Sequence, residues 1–330
     1  MVIKTSLPLS ANGSCCFRRF GHFTLCVAPL SLCCKWPWPR HSEPGVTKHR
    51  GKSLPGKMLS LHKESDMSTV RAKKHLGQHF LNDRGAAQKI VESLDPSLGF
   101  TQVLEVGPGM GVLSDFLLQK EAYETWLIDV DDESIAYLAD RYPQLDHRLI
   151  HGDFLQLDFS LHFGDKIAVI GNFPYNISSQ ILFKILEERQ RVVQVSGMFQ
   201  KEVAERCVAK PGTKEYGILS VFLQAYYDVQ YLFTVKAGAF NPPPKVLSGV
   251  IKMTRNAREE LSCDEKLFWR VVKTAFNQRR KTLRNALSAV LPKDRMSDNP
   301  LYELRAERLS VEDFVMLTNE IANAGQPNDR

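Results

Sequence analysis

Residues 102–111 read Gln-Val-Leu-Glu-Val-Gly-Pro-Gly-Met-Gly. The apolar first half predicts a buried strand from Gln102 to Val106, and the glycines let the backbone of the next turn come close to a ligand. An apolar-periodic helix is predicted to open at this turn and to run to about Lys120, so that its N-terminus faces the ligand. A second strand, predicted for Trp126 to Val130, carries Asp129, an acid that can accept both hydroxyls of a ribose. The pattern predicts a nucleotide-binding strand–helix–strand unit.

The spacing of the glycines weakens a dinucleotide interpretation. Gly107, Gly109 and Gly111 follow G-x-G-x-G, whereas the dinucleotide-binding turn has the spacing G-x-G-x-x-G. NAD enzymes and methyltransferases that use S-adenosylmethionine share the ribose acid, so Asp129 does not distinguish between them. The remaining interpretation, a plain tight turn, is disfavoured by the flanking strand, helix and acid.

A second motif, Gly-Asn-Phe-Pro-Tyr-Asn at 171–176, follows an apolar run from Lys166 to Ile170 that predicts another buried strand. Apolar residues at helical spacing follow from Ile177 to Leu186. We therefore expect the motif at the carboxyl end of a strand, where open α/β sheets bind their ligands. A strand-to-helix turn is the alternative interpretation, because Asn and Pro are common turn residues.

The residue types of this motif suit methyl transfer to the exocyclic amino group of a nucleobase. The lone pair of adenine N6 is delocalised into the ring, which makes the nitrogen a poor nucleophile. The Asn172 side-chain oxygen and a backbone carbonyl beside Pro174 can accept hydrogen bonds from that amino group, which favours a nitrogen with an available lone pair. Pro174 has a fixed φ that holds the neighbouring carbonyls in place. Tyr175 offers a flat face on which a base can stack.

Further patterns predict the remainder of an α/β sheet. His147 to His151 is predicted as a strand, and Asp153 behind it can accept a hydrogen bond from a cofactor's adenine, although a helix cap is the commoner use of such a residue. Arg191 to Phe199 predicts a fifth strand, and Val229 to Val235 with Leu247 to Thr254 predict a closing antiparallel pair. This order predicts a doubly wound sheet.

Residues 256–330 show no strand pattern and predict a small all-α part. Glu265 to Leu291 is predicted as one strongly helical segment. Ser310, with Asp313 three residues later, predicts the cap of a last helix. At the other end of the chain, Asn82 is predicted to cap a helix that runs through Val91.

Basic residues in three places suit contacts with phosphate groups, with solvated surface residues as the alternative. Lys245 lies in the loop 240–246, whose three prolines stiffen the backbone that carries Phe240. Phe240 is predicted either to face a ligand or to pack in the core. The other candidates form an N-terminal cluster, Arg71, Lys73 and Lys74, and a cluster around the predicted helix, Arg279, Arg280, Lys281 and Arg284.

Charge and cysteine are concentrated at the start of the chain. The formal net charge is +6, but residues 1–66 carry ten Lys or Arg and three acids. The remainder is nearly neutral, so an RNA-binding surface must come from local patches. Five of the seven cysteines lie in the first 34 residues, and the pairs Cys15-Cys16 and Cys33-Cys34 lack the spacing of a zinc site. The two others, Cys207 and Cys263, indicate a reducing compartment without a disulfide framework.

Residues 1–66 lack clear helical or strand periodicity and predict a disordered extension. A transit peptide is one interpretation, since the segment is basic and has no acid before Glu43. We favour the other, an upstream start codon with the natural protein beginning near Met67. No apolar run in the chain approaches the length of a membrane span, so no transmembrane helix is expected.

Six motifs occur in an order that resembles the ribosomal RNA small-subunit adenine dimethyltransferases, the KsgA family. The resemblance covers about residues 70–323. The motifs are Lys-Lys-His-Leu-Gly-Gln-His-Phe-Leu-Asn-Asp (73–83), Glu-Val-Gly-Pro-Gly-Met-Gly (105–111), Gly-Asn-Phe-Pro-Tyr-Asn-Ile-Ser (171–178), Phe-Gln-Lys-Glu-Val-Ala (199–204), Phe-Asn-Pro-Pro-Pro-Lys-Val (240–246) and Ala-Phe-Asn-Gln-Arg-Arg-Lys-Thr-Leu-Arg-Asn (275–285).

The resemblance implies an enzyme that uses S-adenosylmethionine and no metal. It would dimethylate the N6 atoms of two adjacent adenosines near the 3′ end of 16S rRNA, as a cytoplasmic monomer that also acts in small-subunit assembly. The target base would stack between Tyr175 and Phe240 and bond to Asn172 and the Phe173 carbonyl. The cofactor would contact His79, Leu81, Gly107, Asp129, Asp153 and Asn172.

The implied fold is a Rossmann-like methyltransferase domain at 67–255 with a small helical RNA-binding domain at 256–330. Two residues depart from the family pattern: the ribose acid is Asp129 where Glu is usual, and Phe173 stands where Ile or Leu is common. Two alternatives remain, a large-subunit rRNA methyltransferase of the macrolide-resistance type and a non-catalytic organellar transcription or assembly factor. A nicotinamide oxidoreductase is a distant third.

Overall fold

The computed structural model describes residues 70–325. The strands are β1 (Phe80–Leu81), β2 (Gln102–Val106), β3 (Glu124–Asp129), β4 (Leu149–His151), β5 (Ile167–Asn172), β6 (Val192–Gln200), β7 (Tyr227–Val235), β8 (Phe240–Asn241) and β9 (Ser248–Arg255). The α-helices are α1 (Arg84–Glu92), α2 (Ser114–Leu117), α3 (Asp132–Arg141), α4 (Ser178–Glu187), α5 (Lys201–Val208), α6 (Ile218–Tyr226), α7 (Glu265–Asn277), α8 (Leu283–Ala286) and α9 (Val311–Gly325). The extension predicted at 1–66 lies outside the described residues.

Seven of these strands form one sheet in the order β4-β3-β2-β5-β6-β9-β7. The first five in this order run parallel, and β9 lies antiparallel between β6 and β7. The predicted doubly wound sheet with a late antiparallel pair is confirmed. The chain moves outward from β2 to β4 on one side and then continues from β5 on the other. The carboxyl ends of β2 and β5 therefore meet where such sheets bind ligands.

The helix predicted after the glycine turn is much shorter than the sequence suggested. It was expected to reach about Lys120, whereas α2 has four residues. Gly109 and Gly111 have φ values of 55° and 79°, which are left-handed and interrupt a right-handed helix. The turn consequently extends to Leu113, and the prediction of a helix opening directly at the glycines is wrong.

The cap of α1 also differs from the prediction. Asp83, not Asn82, is the N-cap, and its side chain accepts a hydrogen bond from the Ala86 N–H at 2.9 Å. The Asn82 N–H instead donates to the Ala239 carbonyl at 2.7 Å, next to the antiparallel pair of β1 and β8. A non-local backbone partner thus delayed the start of the helix by one residue.

The long helix predicted for Glu265 to Leu291 is interrupted. α7 ends at Asn277, and Gln278 has a non-helical φ of −118°. The Leu283 N–H bonds to the Leu304 carbonyl at 2.8 Å, a partner far along the chain. The basic residues 279–281 therefore lie in a turn and not around one helix.

The helical part packs on the sheet through aromatic rings. Phe222 of α6 stacks on Trp269 of α7 with ring centroids 3.9 Å apart, and both rings belong to a core that continues under β5 and β6. The capping box of α9 is confirmed, since Ser310 and Asp313 exchange hydrogen bonds between side chain and backbone. No helix within residues 70–325 is long and apolar enough to cross a membrane.

Candidate active site

A cavity of about 230 Å³ lies at the carboxyl ends of β2, β3 and β5. Its lining comes from five segments that are separate in sequence. These are residues 76–80, the glycine turn with Gly107 and Gly109, the ends of β3 and β4 with Asp129, Val130, Asp153 and Leu155, and residues 172–177. The two nucleotide-related motifs of the sequence therefore share one cavity.

The glycine turn is fixed by its backbone and by a close neighbour. Gly107 and Gly109 have φ values of 69° and 55°, which L side chains rarely adopt. A β-carbon at Gly109 would lie 2.7 Å from the Phe80 ring. The Gly109 N–H donates to Asp129 Oδ2 at 3.3 Å. These features keep one wall of the cavity free of side chains and tie the turn to the neighbouring strand.

Asp129, the last residue of β3, lines the cavity, and only 6% of its surface is exposed. Its Oδ1 atom accepts a hydrogen bond from the Asp131 N–H at 3.0 Å. Burial raises the pKa of Asp129, while the backbone hydrogen bonds to its carboxylate oppose that shift. Two backbone donors thus fix the Asp129 carboxylate at the end of β3.

Asp153 forms the cap that the sequence offered as its commoner use, and it also lines the cavity. Its Oδ1 atom accepts a hydrogen bond from the Leu155 N–H at 2.9 Å and caps a short turn. The same exposed side chain lines the cavity. Val130, also in the lining, is 52% exposed, which provides an apolar surface between the two acids.

A buried carboxyl group lies next to the cofactor side of the cavity. Glu105, at 1% exposure, accepts a hydrogen bond from the Ser114 hydroxyl at 2.6 Å. Burial raises the pKa of Glu105 to about 8, against the effect of that hydrogen bond. The sequence placed Glu105 in a strand but assigned it no role, because its burial depends on α2 packing above it.

The amide of Asn172 is oriented by a residue from a distant segment. Its Nδ2 atom donates to the His79 carbonyl at 2.8 Å. The opposite atom, Oδ1, has no hydrogen-bond partner among residues 70–325. The predicted acceptor oxygen of Asn172 is therefore free, and the side chain lines the cavity.

The Phe173 carbonyl is also left without a donor in the described part of the chain. The ring of Phe173 is buried and stacks on Phe199 at 4.6 Å, and its N–H donates to Met198 at 3.1 Å. The next carbonyl, that of Pro174, is occupied by Ile177 and Ser178. Asn172 Oδ1 and the Phe173 carbonyl oxygen are thus both without a hydrogen-bond donor among residues 70–325.

Tyr175 lines the cavity beside these oxygens. Its hydroxyl forms a hydrogen bond with the Ser248 hydroxyl, and its ring centroid lies 5.5 Å from that of His79. Burial raises the pKa of Tyr175, against the effect of that hydrogen bond. The phenol is consequently neutral at physiological pH, and its ring is the chemically useful part.

Comparison with known proteins identifies the family of the chain. The family described as Ribosomal RNA adenine dimethylase matches residues 69–323. The chain belongs to this family. A relative from Cytophaga hutchinsonii, the Ribosomal RNA small subunit methyltransferase A, is 56% identical over 256 residues, 78% of this chain and 99% of that protein.

Two solved structures share the fold. A dimethyladenosine transferase from Plasmodium falciparum has a TM-score of 0.62 at 26% identity, covering 75% of this chain and 98% of that one. The 23S rRNA methyltransferase ErmE has a TM-score of 0.58 at 22% identity, covering 74% of this chain and 99% of that one. The Rossmann-like fold and the resemblance to the rRNA adenine dimethylases are confirmed.

Two residues implied by that resemblance lie away from the cavity. Leu81 and Phe240 face each other in the β1–β8 pair, and they are 3% and 4% exposed. Both side chains belong to the core beneath α1. In this structure the Phe240 ring is packed in the core and does not line the cavity beside Tyr175. His79, by contrast, lines the cavity.

The residues of the N-terminal basic cluster, Arg71, Lys73 and Lys74, lie in two different environments. Lys73 forms ion pairs with Asp131 and Glu133. Arg71 and Lys74 are exposed, as is Lys245 in the proline-rich loop. The sequence contains no local sign of this difference, because the acid partners of Lys73 are 58 and 60 positions away.

The second basic cluster is divided in the same way. Arg279 donates to Glu307 at 2.7 Å and to the Lys214 carbonyl at 2.6 Å, and Arg284 donates to Glu303 at 2.7 Å. The side chains of Arg280 and Lys281 are exposed and have no partner within residues 70–325. Only these two of the four predicted basic residues are free to meet phosphate without giving up an internal bond.

Proposed function

We propose that the protein transfers methyl groups from S-adenosylmethionine to the N6 atoms of two adjacent adenosines near the 3′ end of 16S rRNA, within the small ribosomal subunit. Each adenosine would be methylated twice. The observation that carries the proposal is the pair of free oxygens, Asn172 Oδ1 and the Phe173 carbonyl, at the end of β5. An amino group with two hydrogens matches two acceptors fixed by a proline turn.

The cofactor side of the cavity fits S-adenosylmethionine. The glycine turn admits the close approach of the methionine part, Asp129 suits the ribose hydroxyls, and Asp153 suits the adenine amino group, with Val130 against the ring. S-adenosylmethionine supplies a methyl group on a positively charged sulfur. Because this donor is already activated, the protein needs to bind, orient and exclude water, and a metal or a covalent nucleophile is not required.

The acceptor side binds and orients the adenine. Asn172 and the Phe173 carbonyl accept the two N6 hydrogens, and this geometry favours the lone pair that attacks. The Tyr175 ring provides one stacking face. Phe240 supplies the second face only if the β1–β8 pair shifts when RNA binds. Leu81, its partner in that pair, contributes to the cofactor pocket by fixing the backbone of β1, which follows His79.

We assign RNA phosphate contacts to the basic residues that have no internal partner: Arg71, Lys74, Lys245, Arg280 and Lys281. Lys73, Arg279 and Arg284 hold the protein's own segments in place. In this proposal residues 67–255 form the catalytic domain and residues 256–330 the RNA-binding helical domain of a cytoplasmic monomer that takes part in small-subunit biogenesis.

The proposal is tested by methyl transfer from labelled S-adenosylmethionine to small ribosomal subunits that lack the modification, with large subunits in parallel. We expect label in the small subunit and N6,N6-dimethyladenosine after digestion of its RNA. Label only in the large subunit would instead assign the macrolide-resistance type of activity. Subunit binding without any label would assign a non-catalytic assembly factor.

A further inference from the structure

One wall of the cavity is held almost entirely by polar contacts. Residues 73–79, which we call the N-terminal strap, contain a single turn of 3-10 helix without a buried residue. Every residue of the strap is exposed or half-buried, although residues 76–79 line the cavity. Burial of apolar surface therefore contributes little to holding the strap against the sheet.

The strap is attached to the sheet domain by the carboxylate of Asp131. This residue, two positions after the ribose acid, is 2% exposed. It accepts hydrogen bonds from Lys73 Nζ and, at 3.2 Å, from Gln78 Nε2. Burial opposes the charge on Asp131, but these hydrogen bonds outweigh burial and lower its pKa. A buried, ionised carboxylate therefore holds the strap at two points.

Gln78 connects the two ends of the strap. While its Nε2 atom donates to Asp131, its Oε1 atom accepts the Lys73 N–H at 2.8 Å. Gly77, between them, has a φ of 67°, which closes the turn. The Gln78 amide therefore both closes the strap into a loop and attaches it to Asp131.

The far end of the strap reaches the acceptor site. The His79 carbonyl accepts the hydrogen bond that orients the Asn172 amide, at 2.8 Å, and His79 Nδ1 donates to the Pro242 carbonyl at 2.7 Å. The Asp131 N–H in turn donates to Asp129 Oδ1 at 3.0 Å. Asp131 is thereby linked directly to the ribose acid and, through the strap, to the catalytic amide.

We propose that Asp131 is a positioning residue that clamps the N-terminal strap over the cofactor through Lys73 and Gln78. The clamp rests on the proposed function, since its role is to hold S-adenosylmethionine and to orient Asn172. Release of the clamp opens the wall through which cofactor and product exchange, since a segment held mainly by polar contacts opens at low cost.

Asp131 also caps α3. Loss of this cap is therefore the competing explanation for any effect of replacing Asp131. It accepts the Glu133 N–H at 3.3 Å and the Ser134 hydroxyl at 3.1 Å. Replacing Asp131 itself would remove cap and clamp together. Lys73→Met and Gln78→Leu remove the strap's side of the clamp and leave the cap untouched. Ser134→Ala weakens the cap and leaves the clamp intact.

The first measurement is calorimetric binding of S-adenosylhomocysteine to the full chain without RNA. Lys73→Met and Gln78→Leu should each weaken binding by about tenfold, the usual worth of a hydrogen bond to a charged group. Lys74→Met, a matched loss of charge at the next position, should stay within about twofold, because Lys74 is exposed and has no contact with Asp131. Binding by Lys73→Met and Gln78→Leu that equals the unmodified protein would overturn the clamp.

The second measurement is hydrogen exchange of the strap and of α3. In Gln78→Leu we expect faster exchange in residues 74–80 and no change in residues 132–141, whereas Ser134→Ala should show the reverse. Faster exchange in α3 alone for Gln78→Leu would contradict the clamp. If the unmodified protein binds no S-adenosylhomocysteine, the proposed function falls and the clamp falls with it. Failure of the variants alone removes only the clamp.

Discussion

The two walls of the cavity are built by different means. The strand-end wall, formed by Gly107, Gly109, Asp129 and Asn172, continues the central strands β2, β3 and β5, and backbone hydrogen bonds fix it. The N-terminal strap faces it across the cavity and is held by side-chain bonds to Asp131, Asn172 and Asn176. The comparison indicates that the sheet preorganises the reacting groups, while the strap supplies a closure that can be released.

The largest effect is expected where the two walls join. Asn172→Ala removes the acceptor oxygen and also the donor that holds the His79 carbonyl. We expect kcat to fall by at least about 10²–10³-fold, the cost of losing one preorganised polar group at a reacting centre. RNA affinity should stay nearly unchanged, because the basic surface is elsewhere. Turnover close to that of the unmodified protein would contradict the role of Asn172.

The strand-end wall should respond to pH because of the carboxyl group buried behind it. The pKa of Glu105 is raised from 4.5 to about 8, so the folded state keeps a proton that the unfolded state loses. The free energy of unfolding therefore falls as pH rises from about 4.5 to 8 and is flat beyond. Glu105→Gln, neutral throughout, should flatten that part of the profile.

The pKa shift of Glu105 limits the change in the free energy of unfolding to about 5 kcal/mol. It is measured by urea unfolding at several pH values for both proteins. Parallel profiles for Glu105→Gln and the unmodified chain would show that Glu105 is ionised in the folded state. The strap, whose clamp involves an ion pair, should respond to salt more than to pH in this range.

Gly109 tests how closely the walls approach each other. Gly109→Ala places a β-carbon 2.7 Å from the Phe80 ring in a residue with φ of 55°. We expect the free energy of unfolding to fall by about 1–3 kcal/mol, the usual cost of such strain, with weaker cofactor binding. Gly238→Ala is the matched control, since nothing lies within 4 Å of its added β-carbon. Equal stability of the two variants would show that the walls can separate freely.

The smallest change in the stability of the protein is expected for residues outside both walls. Arg280→Ala with Lys281→Ala removes two exposed charges without internal partners. Stability should stay within about 0.5 kcal/mol, while the slope of log affinity for rRNA against log salt should decrease by about 1–2 units. Arg279→Ala is the contrasting variant and should lower stability, because Arg279 holds Glu307 and the Lys214 carbonyl. An unchanged salt slope for the double variant would remove this surface from the RNA interface.

The sequence predicted the strands well because their apolar runs are continuous and local. β2, β5 and the antiparallel pair of β7 and β9 lie within a few residues of their predicted positions. Errors occurred where a residue's conformation depends on a distant partner. Asn82 failed as a cap because its N–H bonds to the distant Ala239 carbonyl. The predicted long helix ends at Asn277, and the chain beyond it is held by the bond from Leu283 to the distant Leu304 carbonyl.

The sequence by itself determined the glycine turn after β2, the acid at the end of β3 and the Asn172–Tyr175 motif, because each is a short segment whose chemistry depends on its own residue order. Only the tertiary structure decided which basic residues are free and what closes the cavity. Lys73 and Arg279 look like their neighbours in sequence, yet the fold brings Asp131 and Glu307 to them and leaves Lys74 and Arg280 exposed. The physical reason is that charge pairing and burial depend on distance in space, which a chain pattern does not encode.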